Sequence, residues 1–184
     1  MASTPLYEPT ISRLQGLMLE SPYIANPPAT APSPITVFLG KLVGRFLPHH
    51  QIVQALALTT VVHDPEVQAS VKADELCHNT GTLEMFAAML GRCTDLASGK
   101  LVLGKGVRAL WLAHGTEDQC TSYEHSKEWF EREGVKVGDR EFKSYEGWSH
   151  QLHADSKEHR GVFARDVGDW VLKRVGGRGE MAKL

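Results

Sequence analysis

Leu110-Trp111-Leu112-Ala113-His114-Gly115-Thr116-Glu117-Asp118 is the stretch that decides how this chain folds. Its opening apolar run, led in by Val107, reads as a strand buried on both faces, the pattern of a parallel sheet covered by helices. The run breaks into a polar turn carrying a carboxylate, Asp118. A helix is expected from about Ser122 to Glu133, with Thr121 and Glu124 at capping-box spacing and Gly134 suited to the C-terminal cap. A further unit repeats the order. Arg140 to Tyr145 reads as a strand, Glu146-Gly147-Trp148-Ser149-His150 as its turn, and a helix follows with Phe163, Val167, Trp170, Val171 and Arg174 near one face, stopped by Gly176-Gly177. In parallel sheets ligands sit beyond the carboxyl ends of the strands, and Asp118 and His150 both fall there, on successive units.

Upstream, Leu14 to Leu19 reads as a short buried strand stopped at Glu20-Ser21-Pro22. Pro27, Pro28, Pro32 and Pro34 then carry the chain away from that layer, because none of them continues a strand or helix. Ile35, Phe38, Leu39, Leu42, Val43, Phe46 and Leu47 recur at helical spacing, with Lys41 and Arg45 opposite and Pro48 as the stop. Such a face ordinarily packs on the protein's own core. Residues 49–100 read as polar and helical, with helix starts at Asp64-Pro65-Glu66 and Thr80-Gly81-Thr82 and a buried face of Leu83, Phe86, Ala87 and Leu90. Strand, inserted helices, strand, helix, strand, helix predicts an α/β class with a parallel sheet flanked by helices.

At 184 residues the chain is long enough for one domain, or a piece of one, and short for two. A net charge of −2 with scattered lysines and arginines offers no stripe for nucleic acid. The first residues, Met1-Ala2-Ser3-Thr4-Pro5, have neither a charged nor an apolar leader segment, and no run approaches the ~18 apolar residues of a membrane span, so the expectation is a cytoplasmic protein. Cys77, Cys93 and Cys120 fit reduced thiols better than a disulfide framework.

A carboxylate that orients an imidazole is the acid and base half of nucleophilic ester chemistry. An Asp after a strand is also a common turn former or helix N-cap, so position alone leaves both readings open. His150, His153 and Asp155 form a possible metal group, and His49-His50 a second ligand pair, but a His pair at i, i+3 makes no zinc site and no Cys-x-x-Cys is present. Neither a metal nor a cofactor is expected. Cys120, near the acid turn, is an alternative thiol nucleophile that would need a positioned base.

His114-Gly115-Thr116-Glu117-Asp118 and Tyr145-Glu146-Gly147-Trp148-Ser149-His150-Gln151-Leu152-His153, with the length between them, resemble the C-terminal half of monoacylglycerol lipases. These are α/β-hydrolases of the serine-hydrolase group that also includes serine aminopeptidase-like proteins. Cys120-Thr121-Ser122 fits the stretch after the acid. Asp64-Pro65-Glu66-Val67 through Asp74-Glu75-Leu76-Cys77-His78-Asn79-Thr80-Gly81-Thr82 resembles the cap of fungal members. The likeness runs through short matches from about residue 14 to 175. It implies Asp118 as triad acid, His150 as base, His153 as an unassigned neighbour, acylglycerol or other acyl esters as substrate, and residues 27–100 as a cap inserted in a partial domain of residues 1–184. It also implies that the helix carrying Phe38, Leu42 and Phe46 touches a lipid surface, placing the protein at membranes or lipid droplets.

None of the seventeen glycines begins a Gly-x-Ser-x-Gly nucleophile motif. Gly147-Trp148-Ser149 comes nearest and lacks the closing glycine. His114-Gly115 matches an oxyanion His-Gly in letters only, because it precedes the acid. The expectation is therefore a truncated lipase-type chain with an exposed edge on its first strand and no hydrolysis of its own. From a different class, a non-catalytic lipid- or protein-binding descendant of the same fold is the alternative.

Overall fold

Every residue of the strand Ala109–Gly115 is buried, as an apolar strand in the middle of a parallel sheet must be. The computed structural model describes residues 4–54 and 57–175. After a short 3-10 turn (Pro5–Tyr7) and helix α1 (Glu8–Ile11), the chain enters β1 (Leu17–Glu20). Far downstream come β4 (Ala109–Gly115), α6 (Tyr123–Gly134), β5 (Asp139–Tyr145) and α7 (Lys157–Val175). The three strands form a parallel sheet in the order β1-β4-β5, with Leu17 opposite Leu110 and Ala109 opposite Asp139. The expected parallel α/β sheet is the observed one, and its first strand lies at an edge with no strand on its outer side among the described residues.

Successive side chains of β4 point to opposite faces, so one strand feeds two cores. Leu110 and Leu112 pack with Trp129 and Phe130 of α6, Val137, and Ile11 of α1. Ala109, Trp111 and Ala113 pack with Tyr145, Trp148, and Phe163 and Trp170 of α7. Trp111 is 1% exposed and packs on Phe163 with ring centroids 5.8 Å apart. Truncating such a buried indole to alanine typically costs about 3–5 kcal/mol.

Between β1 and β4 lie α2 (Pro34–Phe46), β2 (Gln51–Val53), α3 (Leu58–Val61), α4 (Pro65–Ala73), β3 (Thr80–Thr82) and α5 (Leu83–Ala97). The β2–β3 antiparallel pair, Gln51 opposite Thr82 and Val53 opposite Thr80, departs from the purely helical expectation. Three residues per strand carry too little alternation to be read. The expected helix starts hold: Asp64 accepts the Glu66 N–H at 2.8 Å, and Thr82 accepts that of Met85 at 3.2 Å. The face containing Leu83, Phe86, Ala87 and Leu90 is only half-buried, because it lines a cavity.

Helix α2 overturns the expectation of core packing. Val37, Gly40 and Gly44 are its half-buried positions, and a Cβ at Gly44 would lie 3.4 Å from the Leu83 Cβ of α5. The small residues let α2 sit close on α5, and the apolar stripe consequently turns outward. Ile35, Phe38 and Phe46 are 71%, 65% and 76% exposed.

The start and end of α6 also differ from the sequence reading. Its N-cap is Ser122, whose Oγ accepts the His125 N–H, and not Thr121 in a box with Glu124. The Thr121 hydroxyl is already committed to Asp118 at 2.8 Å. Gly134 is the last helical residue and Val135 the cap; a Cβ at Gly134 would crowd Phe130 at 3.3 Å. Buried Glu133 accepts the Leu103 N–H at 2.9 Å and so ties the approach to β4 onto α6. The expected stop at Gly176-Gly177 lies outside the described residues.

Candidate functional site: a carboxylate and an imidazole at the strand ends

The turns after β4 and β5 are pressed together at Gly115. A Cβ there would fall 2.3 Å from the carbonyl oxygen of Trp148, so only glycine permits the approach. Backbone bonds lock the contact: Thr116 N–H donates to Tyr145 at 3.0 Å and Glu117 N–H to Trp148 at 3.1 Å. Gly147, at φ +75°, turns its own N–H onto the Thr116 hydroxyl at 2.9 Å. Adjacent parallel strands with matched register thus bring the two turns side by side, and Asp118 Oδ2 stands 2.8 Å from His150 Nδ1.

Five polar groups converge on the Asp118 carboxylate, whose side chain has no solvent exposure. Oδ1 accepts the backbone N–H of Cys120 at 2.7 Å and of Thr121 at 2.9 Å. Oδ2 faces His150 Nδ1, accepts the Thr121 hydroxyl at 2.8 Å, and lies 3.0 Å from Nε2 of the fully buried His114. Burial by itself would raise the carboxyl's pKa. The opposing contacts, led by His114 and His150, outweigh it and hold Asp118 well below the usual carboxylate range. Asp118 therefore stays ionised, and His150 Nδ1 must carry the proton of their bond, leaving Nε2 as the ring's other nitrogen.

The chain leaving β1 completes the setting. Ser21 adopts φ +40°, a left-handed conformation unusual for a residue with a Cβ, and its carbonyl oxygen lies 3.2 Å from the Thr121 hydroxyl oxygen. The site thus includes His114, Thr121 and Ser21, none of which is assigned a part in it by sequence alone. The one usable signal was the i, i+4 spacing of His114 and Asp118 across the end of a strand.

The other histidines separate. His153 bonds Glu20 Oε1 at 2.7 Å through Nδ1, whereas Asp155 accepts the His63 N–H at 2.8 Å and faces His159 Nδ1 at 2.9 Å. His150, His153 and Asp155 therefore each keep different partners. His49 makes a 3.9 Å contact with Glu84 instead of acting with His50. Single donor atoms of Asp118, Cys120 and His150 do lie within 4.8 Å of one another. Both carboxylate oxygens already accept protons there, and Cys120 Sγ donates to the Thr60 carbonyl at 3.4 Å, so this donor set is engaged with protons and not arranged around a cation. Burial, the first cause, and the nearby Asp118 charge push the Cys120 thiol up, against the Thr60 contact, which disfavours the thiolate.

His150 opens onto a cavity of about 850 Å3. Ser21, Cys120, Thr121 and His150 are among its polar lining residues, and Ile52, Phe86 and Leu90 among its apolar ones. A large apolar cavity with a few convergent polar groups is the ordinary form of a small-molecule site.

Residues 3–157 match the family model Serine aminopeptidase, S33. A protein of Schizosaccharomyces pombe described as "Putative monoglyceride lipase" is 26% identical over 161 residues, which cover 88% of this chain and 41% of that protein. Two solved structures share the fold: a soluble variant of monoglyceride lipase from Saccharomyces cerevisiae in complex with a substrate analog (TM-score 0.79, 19% identity) and the monoacylglycerol lipase of Paleococcus ferrophilus (TM-score 0.76, 22% identity). The matches cover 92% and 91% of this chain, and 60% and 62% of those chains. With its parallel sheet flanked by helices and most of its length matched, this chain belongs to the serine aminopeptidase S33 family and is similar within it to monoglyceride lipases.

Proposed function

We propose that this chain carries the acid and base of an ester-hydrolysing serine-hydrolase site, with Asp118 as acid, His150 as base and acylglycerol esters as the substrate class. The observation that carries the reading is the 2.8 Å contact between His150 Nδ1 and the buried Asp118, with His150 lining a cavity that has apolar walls. Fixing Nδ1–H on a carboxylate leaves Nε2 to take a proton. In the complete reaction a serine oxygen attacks the ester carbonyl as its proton passes to His150 Nε2. The imidazolium then protonates the departing alcohol, and water repeats the sequence on the acyl-enzyme. The names of the relatives support monoacylglycerols as the ester, and the cavity's apolar wall suits an acyl chain.

Residues 27–100 act in this reading as the cap. The outward stripe of Ile35, Phe38 and Phe46, with Lys41 and Arg45 on the same helix, suits shallow contact with a lipid surface, which would place a cytoplasmic protein at membranes or lipid droplets. No helix among the described residues is long and apolar enough to cross a membrane.

The 184 residues contain no Gly-x-Ser-x-Gly, and no hydroxyl or thiol among the described residues is bonded to His150 Nε2. The Thr121 hydroxyl and the Cys120 thiol are both turned to other acceptors. These residues alone are therefore expected to hydrolyse nothing. The cavity favours a second reading, a non-catalytic lipid binder on the same fold. Hydrolysis and binding of a monoacylglycerol by the 184-residue chain test both. The expected result is no turnover, with saturable binding counting for the second reading. Turnover that disappears in His150→Ala would overturn the inactive state and reveal a nucleophile acting with this base.

A further inference from the structure

His114 is the one fully buried histidine at the acid turn, and ordinary triad chemistry has no use for it. Its Nε2 lies 3.0 Å from Asp118 Oδ2 and 3.4 Å from Thr121 Oγ1. A bare ring nitrogen would set a lone pair against a carboxylate, so Nε2 carries a proton directed between these two oxygens. Nδ1 has no hydrogen-bond partner among the described residues. A proton on Nδ1 would be a buried N–H with no acceptor, so of the two tautomers the contacts select the one with its proton on Nε2. Its ring is held by an edge contact with Tyr123, centroids 5.8 Å apart at 87°.

We propose that His114 is a positioning residue for the acid and base, resting on the reading of Asp118 and His150 above: one oxygen of Asp118 serves two imidazoles, and His114 fixes the carboxylate while drawing off part of the charge that would otherwise stabilise protonated His150. The site of competition is Oδ2, which both ring nitrogens approach within 3.0 Å. Oδ1 is occupied by the two backbone N–H groups and cannot relieve it. Other titratable groups near the centre are Cys120 in the acid turn, Tyr123 on α6, and Glu20 at the end of β1, the last paired with His153. None of them contacts Oδ2. Without the His114 N–H, Asp118 is the stronger acceptor for His150, and His150 binds its proton more tightly.

The test is nitrogen NMR of the full 184-residue chain labelled at histidine, with the ring of His150 followed as a function of pH. His114→Leu should move the switch of the His150 ring to higher pH, about a three- to tenfold gain in proton affinity. His114→Gln, which restores an N–H donor, should return it toward the unsubstituted value. The unsubstituted chain supplies its own check, since His114 should report the Nε2–H form throughout and its resonances should shift where His150 titrates. An unchanged or lowered switch in His114→Leu, or His114 resonances blind to His150, overturns the inference. Asp118→Asn separates the two levels. If it lowers the proton affinity of His150 while His114→Leu has no effect, only the role of His114 falls. If it leaves His150 unchanged, the acid and base reading falls as well.

Discussion

Asp118 and Asp155 are built alike and placed differently. Each is a buried carboxylate that accepts a backbone N–H on one oxygen and faces a histidine Nδ1 on the other, at 2.8 Å to His150 and 2.9 Å to His159. Each also has a second histidine near, His114 at 3.0 Å and His63 at 3.5 Å. Both carboxyls are held below their ordinary pKa by histidine and backbone contacts that outweigh burial. The partners' surroundings differ. His150 forms part of a cavity wall, whereas His159 lies flat on Trp148, centroids 3.9 Å apart at 13°. Asp155 joins the chain after α3 to the start of α7, and the carbonyl of Val61 holds the base turn through Gln151 N–H at 2.9 Å. An Asp–His pair is thus not in itself an acid and base site. The second imidazole nitrogen must face a space that a reactant can enter.

The largest expected effect separates the pairs by rate. In a fusion that places the N-terminal part of the Schizosaccharomyces pombe relative ahead of this chain, Asp118→Asn should lower kcat about 10^4-fold. Asp155→Asn in the same fusion should lower it about tenfold or less, measured with the same monoacylglycerol; comparable losses would erase the distinction. In equilibrium urea unfolding, Asp155→Ala should cost about 1–3 kcal/mol, because it removes the partners of the His63 N–H and of His159 Nδ1 and frees the link between the chain after α3 and the start of α7. An unchanged midpoint would deny Asp155 its structural role.

Acid should act on both carboxyls together. In the window below the unfolded value of about 3.9, each binds fewer protons folded than unfolded, so stability is complete above that value and is lost as pH falls toward the depressed folded value. Unfolding followed by circular dichroism should therefore steepen below about pH 4, and Asp155→Asn should flatten the slope. The smallest effect belongs to the outward face of α2. Phe38→Ser and Phe46→Ser should change stability by about 0.5 kcal/mol or less, since both rings are exposed, yet weaken sedimentation with phosphatidylcholine vesicles. Large destabilisation would mean that the stripe packs inward.

The parts that could be read from sequence are those in which one residue pattern has one physical solution. The unbroken apolar run of β4 pointed to a strand buried on both faces, and the turns after two successive strand units put Asp118 and His150 at the same end of the sheet, while a turn or cap role for Asp118 stayed open. Proline and capping side chains likewise marked α2 and α4. The outward rotation of α2 was hidden, because its contact face uses Gly40 and Gly44, which carry no hydrophobic signal, while its strongest apolar stripe faces away. Thr121 was misread as a cap since a hydroxyl has the same spacing whether it bonds a helix N–H or a carboxylate. The partners of Asp155 were hidden because sequence distance says nothing of the turn that sends His153 to Glu20 and Asp155 to His63.

The most direct test of the central claim compares the two imidazoles: monoacylglycerol hydrolysis by the fusion carrying His150→Ala, beside His159→Ala. The account predicts that the first abolishes turnover and the second retains most of it. Retained turnover in His150→Ala, or equal losses in both, would contradict the assignment of His150 as the base.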